Sequence, residues 1–356
     1  MKNRKNRAGR TVVVKKRSCF LKVVCLGMIC ICISGGCSGS RGQEEAQENL
    51  QQRTEETASV SEHERAEISA EKDNGAVPES DREIRLEDTG SEQTEPEITE
   101  PEVKGADWSE YFEGLNGAAV VYDPLHGRYV IYNQELARTR RSPCSTFKIV
   151  SSLIALENGV IDPDHAVRAW SGETFWNEAW NQDMDFPEAF RESCVWYFRE
   201  VVNEIGQERM QAELEKLKYG NCDSSDWEGR QNTNNNNPAL TGFWIESSLT
   251  ISPKEQTEVM ERIFGADSVY SADTQNRLKQ VMLVTEQSGA DVLIYGKTGM
   301  GKAEGIVVDA WFTGFAQSGK RQIYFCVYLG RNDGQNVSSV RAREIAVRLV
   351  SDYFGA

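Results

Sequence analysis

Ser145 and Lys148 stand three residues apart in the run Ser145-Thr146-Phe147-Lys148. Pro143 and Cys144 precede them, and apolar residues recur behind them at Ile149, Val150, Leu153, Ile154 and Leu156, the spacing of a helix with one buried stripe. Residues i and i+3 share a helix face, so the Lys148 amine can reach the Ser145 hydroxyl. Apolar surroundings disfavour the ammonium form, and a neutral amine beside a hydroxyl can take its proton. The free N–H groups and partial positive charge of a helix N-terminus suit an oxyanion on a group attacked by Ser145. Taken alone, a serine three residues before a lysine equally describes the cap and solvated face of an amphipathic helix, so the other residues must decide.

Three triplets follow in order. Ser193-Cys194-Val195 supplies a second serine, Tyr219-Gly220-Asn221 comes next, and Lys297-Thr298-Gly299 follows a β-rich run ending at Tyr295-Gly296. Lysine and threonine on a strand edge, with glycines that let a ligand come close, make an anion-binding arrangement. Each triplet is common; the ordered set is not. Competing chemistries find less support. Of the three histidines, His63, His126 and His165, none is spaced with another for a metal, and serine–histidine catalysis would have to use His126 in a turn or His165 in a polar loop. Five of the nine cysteines fall before residue 38; Cys144, Cys194, Cys222 and Cys326 show neither CxxC nor zinc spacing. Cys144 and Cys194 each adjoin a candidate serine, which leaves a disulfide between them open.

The elements that must position these residues begin near Trp108. Gly117–Tyr122 and Arg128–Tyr132 are strand-like and joined by a turn-rich connection, a hairpin pattern. Behind the Ser145 helix lies a Trp-rich polar region, 170–190, then helical patterns at 188–205 and 208–217. Residues 232–237 are nearly all asparagine and read as an exposed loop, and Ser252-Pro253-Lys254-Glu255 carries a capping signal for a helix to about Phe264. Strand patterns return at 292–295, 309–315 and 322–329, and a helix over 339–353 closes the chain. Strands at both ends with helices between them predict an α+β fold: an antiparallel sheet flanked by helices, plus a helical subdomain.

The 356 residues carry a formal net charge of −15 and are 39% hydrophobic, enough for a core, but the charge is uneven. Residues 1–37 read as an export signal: a basic stretch ending at Lys22, an apolar run from Val23 to Ile33, and Ser34-Gly35-Gly36 before Cys37. Small residues before a cysteine resemble a bacterial lipobox, in which Cys37 would be lipidated. Ser34 stands where leucine is usual, so an ordinary cleaved signal or an uncleaved anchor are the alternatives. Residues 38–104 are rich in Glu, Gln, Ser and Thr and bury too little apolar area to fold, an acidic tether ahead of a domain over 105–356. No basic face appears on the folded part, so nucleic acid is not an expected partner, and membrane contact is expected only through the N-terminal anchor.

From Trp108 to Tyr353 the chain resembles the class D β-lactamases, the serine oxacillinases among penicillin-recognising enzymes. The resemblance rests on the ordered triplets and on longer runs: Ser145-Thr146-Phe147-Lys148-Ile149 with Leu153-Ile154-Ala155-Leu156-Glu157, Trp180-Asn181-Gln182-Asp183-Met184, and Phe243-Trp244-Ile245-Glu246 with Ile251-Ser252. It implies that Ser145 attacks a β-lactam carbonyl, that Lys148 carries a carbamate formed with carbon dioxide and acts as general base, and that Ser193 relays a proton. It implies no metal and no cofactor beyond carbon dioxide or bicarbonate. It further implies an apolar lining at Phe147 and Val195, an oxyanion held by Ser145 and by Ala310 or a near neighbour, and a substrate carboxylate bound by Lys297, Thr298 and Gly299. Arg343, or Arg341 by a small shift, would complete that carboxylate site, since an Arg fork suits a carboxylate. Trp244 matches the tryptophan that donates to the carbamate, with Trp227 a competitor outside the Phe-Trp-Ile-Glu pattern. The asparagine-rich insertion before Trp244 departs from the family's short loop, and substrate preference is expected to rest near Trp244 and Met300.

The expected activity is therefore hydrolysis of penicillin-type antibiotics, giving resistance, by an exported or lipid-anchored enzyme. Penicillin sensors that share the motif but stay acylated are the main rival; full-length sensors carry several membrane spans and a His-Glu-x-x-His segment, which this sequence lacks. A cell-wall transpeptidase or carboxypeptidase uses the same serine logic but is disfavoured by the short domain and the class D runs.

Overall fold

The structure is a computed structural model that describes residues 100–284, 292–331 and 337–355. The export signal, Cys37 and the tether as far as residue 99 lie outside the described residues. Six strands, β1 (Glu102–Gly105), β2 (Gly117–Asp123), β3 (Arg128–Tyr132), β4 (Leu293–Ala303), β5 (Ile306–Ser318) and β6 (Arg321–Gly330), form one sheet in the order β1-β3-β2-β6-β5-β4. Strands from both ends of the domain meet in it, as the α+β pattern predicts. Neighbours run antiparallel except β1, which pairs parallel with β3. β1 also claims residues 102–104, which the composition assigns to the tether. All four of its residues are exposed, so hydropathy could not mark it; backbone pairing with β3 does the holding.

The central strands read as unbroken apolar runs because both faces of the sheet are covered. In β5, Ala310, Phe312 and Ala316 pack on one face against the C-terminal helix, while Phe315 turns with Tyr324 of β6 toward the helical region. Seven helices of six residues or more are present among the described residues: α1 (Lys148–Glu157), α2 (Phe186–Arg191), α3 (Val195–Ile205), α4 (Gln207–Lys216), α5 (Pro253–Phe264), α6 (Ala272–Met282) and α7 (Ser339–Gly355). α7 covers one face of the sheet and α5 the other. α1 is the hub of the helical region, with eight of its ten residues buried, which fits its apolar stripe.

Two local signals decide where helices start near the site. At α5 the Ser252 hydroxyl accepts the Glu255 backbone N–H at 3.3 Å while the Glu255 carboxylate accepts the Ser252 N–H at 2.9 Å, the reciprocal cap its sequence predicts. Between 188 and 205 the periodicity predicts one helix, and the chain makes two. Asp185 caps α2 by accepting the Glu188 N–H at 2.8 Å, Ser193 then turns to φ 56°, and α3 starts at Val195. Periodicity survives the break because both helices bury the same cluster, including Phe190 and Phe198, whose ring centroids lie 6.3 Å apart.

Candidate active site

Ser145 lies in a tight 3₁₀ turn, Cys144–Phe147, that runs directly into α1. The turn is strained and pinned. Cys144 has φ 48°, a left-handed conformation that costs a side-chain-bearing residue free energy and persists only where surroundings enforce it. Those surroundings are specific: the Cys144 N–H donates to the Trp244 carbonyl at 3.0 Å, as does the Ser142 hydroxyl at 3.1 Å. The Ser142 carbonyl in turn accepts the Trp311 indole N–H at 3.1 Å. From the α5 side, Gln256 donates to the Thr146 hydroxyl at 2.9 Å. Gly299 of β4 presses on the same turn, since a Cβ there would lie 2.9 Å from both the Pro143 carbonyl oxygen and the Thr146 methyl. The glycine of the Lys-Thr-Gly triplet thus lets an edge strand close on the nucleophile.

Lys148 occupies the first turn of α1 with its Nζ donating to Ser145 Oγ at 3.1 Å. It is 1% exposed, and its Nζ sits 5.3 Å from the centroid of the Phe198 ring. Burial draws this amine down from its usual range to about 8, with the nearby Cys194 and Cys144 sulfurs pulling weakly the other way. Lys297 is buried too; burial, and then the positive charge of Lys148, bring it to about 7. Its Nζ donates to the Thr298 hydroxyl at 3.3 Å. The site therefore holds two amines near neutrality, one on the nucleophile and one on the neighbouring strand. Placing an anion beside either favours its ammonium form.

Two cavities lie along successive stretches of β4. One, of about 450 Å³, is lined by Lys297 and Thr298, by Arg343 from α7, and by Phe190 and Arg191 from α2. The other, of about 290 Å³, holds Ser145 and Cys144 and is walled by Val195, Met300, Trp176, Trp180, Leu240 and three asparagines, Asn232, Asn234 and Asn235. The first is cationic and the second amide-rich and aromatic. Ser193, at the α2–α3 break, keeps its hydroxyl oxygen buried with no hydrogen-bond partner among the described residues, beside Cys194 and two residues from cavity-lining Val195. Cys144, Cys194, Cys222 and Cys326 are all free thiols, so the pairing left open between Cys144 and Cys194 does not form.

Several expected positions need correction. Ala310 lies on β5, an inner strand paired on one side to β4 and on the other to β6, and lines neither cavity. Opposite it in register is Met300, on the edge strand, and Met300 is the residue that lines the Ser145 cavity. Arg341 pairs with Glu113 at 2.7 Å on the surface, so of the two arginines only Arg343 reaches the cationic cavity. Trp244 lies beneath the nucleophile turn, its ring stacked on Phe147 with centroids 5.8 Å apart, and lines neither cavity. The Tyr-Gly-Asn triplet also works from below. Gly220, at φ 53°, passes so close to the Thr250 carbonyl that a Cβ would sit 1.9 Å from its oxygen, and the Asn221 side chain accepts the Thr250 N–H at 2.9 Å. The triplet anchors the strip that leads into α5.

Sequence reasoning missed Trp176, which is 74% exposed at the cavity mouth, and the cavity role of the asparagines. An exposed tryptophan in a polar stretch was the available signal for the first. Asn232, read as part of an exposed loop, is buried, its side chain donating to the Ile245 carbonyl at 3.2 Å.

Comparison with known proteins agrees with this geometry. Residues 117–350 match the penicillin binding protein transpeptidase domain. The chain is 30% identical over 243 residues to the probable beta-lactamase YbxI of Bacillus subtilis (strain 168), covering 68% of this chain and 82% of that protein. To the regulatory protein BlaR1 of Bacillus licheniformis it is 28% identical over 250 residues, 70% of this chain and 39% of BlaR1, so it spans about two fifths of that relative. The crystal structure of a class D beta-lactamase from Bacillus subtilis matches with a TM-score of 0.58 at 28% identity, over 70% of this chain and 95% of that one. A serine and a buried lysine on one helical turn, closed by a Lys-Thr-Gly edge strand, thus sit in a matching fold: the chain belongs to the penicillin binding protein transpeptidase domain family, with β-lactamases, class D enzymes included, among its relatives.

Proposed function

We propose that the protein hydrolyses β-lactams through an acyl-enzyme on Ser145. The observation that carries this reading is the buried Lys148 amine 3.1 Å from Ser145 Oγ, with Ser145 facing an amide-lined cavity and Lys297 and Thr298 of the neighbouring β4 facing a cationic one. Lys297, Thr298 and Arg343 take the substrate carboxylate, which restores the ammonium form of Lys297 and fixes the ring over Ser145. Ser145 Oγ gives its proton to the Lys148 side chain and attacks the lactam carbonyl. The Ser145 backbone N–H and the edge of β4 at Met300, in place of Ala310, face the developing oxyanion. Ser193, hydroxyl unpaired beside Cys194, takes the proton held on Lys148 as it gives its own to the departing ring nitrogen, which leaves Lys148 deprotonated again. Water then attacks the acyl group with Lys148 again as proton acceptor, and the penicilloate leaves.

The surroundings of Lys148 fit carbon dioxide addition, which needs a neutral amine in an apolar pocket; when bound, the group supplies a carboxylate base at the same place. Trp244, beneath the turn, would support that side chain. Export supports a role in resistance: the basic, apolar and small-residue succession before Cys37 leads to the envelope, with Cys37 as its lipid anchor. No described helix is long and apolar enough to cross a membrane.

The test mixes the purified protein with a chromogenic β-lactam in excess, with intact-mass measurement in parallel. Sustained turnover that disappears in Ser145→Ala is the expected result. A single stoichiometric burst with a lasting adduct on Ser145 would instead align the protein with its regulatory relative, as a β-lactam receptor domain.

A further inference from the structure

We propose that Asn234 and Glu246 latch the asparagine-rich insertion across the Ser145 cavity and so set which β-lactam acyl side chains it admits: slim ones enter, ortho-branched ones are refused. This rests on the reading of the site as β-lactam-binding. The cationic groups occupy one cavity, so a substrate whose carboxylate lies there must send its acyl side chain toward the other, where Ser145 is joined by Trp176, Leu240 and the asparagines.

The wall on that side is built from hydrogen bonds. Asn234 Nδ2 donates to Glu246 Oε2 and to the Lys302 carbonyl, each at 2.6 Å, while its Oδ1 accepts the Glu304 N–H at 3.0 Å. The other oxygen of Glu246 accepts the Lys302 N–H. One amide therefore ties together three separate segments: the insertion, the loop that follows Trp244, and the hairpin at the end of β4. Glu246 and Glu304 both adopt left-handed φ, 52° and 51°, to reach it. Further along, Asn237 donates to Glu173 at 2.6 Å, fastening the insertion to the stretch that carries Trp176. Only a side chain that donates and accepts at once satisfies the Asn234 position. Aspartate there would oppose the Glu246 carboxylate.

Asn234 is a positioning residue, and a swap tests it. The full-length protein, Asn234→Asp, and the double variant Asn234→Asp/Glu246→Gln are acylated with two penicillins of the same nucleus. One carries a phenylacetyl side chain, the other a 2,6-dimethoxybenzoyl side chain, and acylation is timed by intact mass. In Asn234→Asp the rate ratio, slim over branched, should fall about tenfold, the scale of discrimination by pocket size. In the double variant the amide introduced by Glu246→Gln restores the bond between positions 234 and 246 but not the one to the Lys302 carbonyl, so the ratio should return part of the way toward that of the wild type, a coupling that general destabilisation would not produce. A wild-type protein that reacts while its ratio is unmoved in Asn234→Asp, or shifted but not even partly restored by the swap, overturns the latch. A wild-type protein that neither forms an adduct with nor consumes either penicillin overturns the β-lactam reading, and the latch falls with it.

Discussion

Lys148→Ala should lower steady-state turnover of a penicillin by roughly 10²–10⁴-fold, the range that a positioned general base contributes. It should also leave whatever acyl-enzyme forms on Ser145 unable to turn over. Intact-mass measurement with time separates the two effects. Turnover by the wild type should drop when bicarbonate is stripped from the buffer and recover on its return, whereas the variant should respond to neither. Full activity in Lys148→Ala would sink the assignment of this residue. The same amine carries a stability cost that gives an independent readout through Lys148→Met, which keeps the volume and loses the charge. With a folded value of about 8 against 10.5, the unfolded chain binds more protons between those pH values, so wild-type stability rises with pH across that window. Below about pH 8 the penalty is present in full, on the order of 3 kcal/mol at most from a displacement of that size. Lys148→Met should therefore be inactive yet more stable at pH 7, with the advantage gone above about pH 10.5. Urea unfolding at pH 7 and pH 10.5 in bicarbonate-free buffer measures it.

Trp244→Ala should cost about 3–5 kcal/mol of stability, the range for emptying a buried aromatic site, and should carry most of the activity with it. The ring is 1% exposed and wedged between Phe147, at 5.8 Å between centroids, and Phe243, at 5.2 Å. Removing it undercuts the turn that holds Cys144 and Ser145, although the carbonyl that accepts from Cys144 remains. Trp227 stacks on Phe243, 5.2 Å away, lacks the ring contact with Phe147 that Trp244 makes, and is only partly buried, so Trp227→Ala should cost less and spare more turnover. Thermal melts beside kcat values for the two variants decide the order. Equal losses would mean that the aromatic stack, not its position under the nucleophile, is what matters.

The chemistry is more legible in the sequence than the scaffold that aims it. Helical spacing puts Ser145 and Lys148 on one face, and the triplets that follow in order, Lys297-Thr298-Gly299 among them, turn that weak pair into a site. The expectation for Ala310 fails because a strand's period tells which face a residue takes and says nothing of whether its strand is inner or edge. The break at Ser193 is hidden because hydrophobic periodicity continues through it; only the left-handed backbone, invisible in a residue string, separates α2 from α3. β1 escapes notice since it contributes no buried side chain, and pairing between backbones leaves no mark on composition. The asparagine run looks like solvent-facing loop by polarity, and what makes it a wall is partner groups on distant segments.

β1 has a mechanical consequence. It is the outermost strand on the side of the sheet opposite β4, with four ladders between them, β3-β2, β2-β6, β6-β5 and β5-β4, besides its own pairing with β3. A pull applied at residue 100 is borne first by four exposed residues gripping a single neighbour, and these should peel from β3 before the load reaches the strands that frame Ser145. β1 would then act as a fuse. Extension by optical tweezers through a handle at residue 100 should give a small first yield with the catalytic cleft still intact, and loss of turnover at that first yield would show that the far edge and the serine are mechanically one piece.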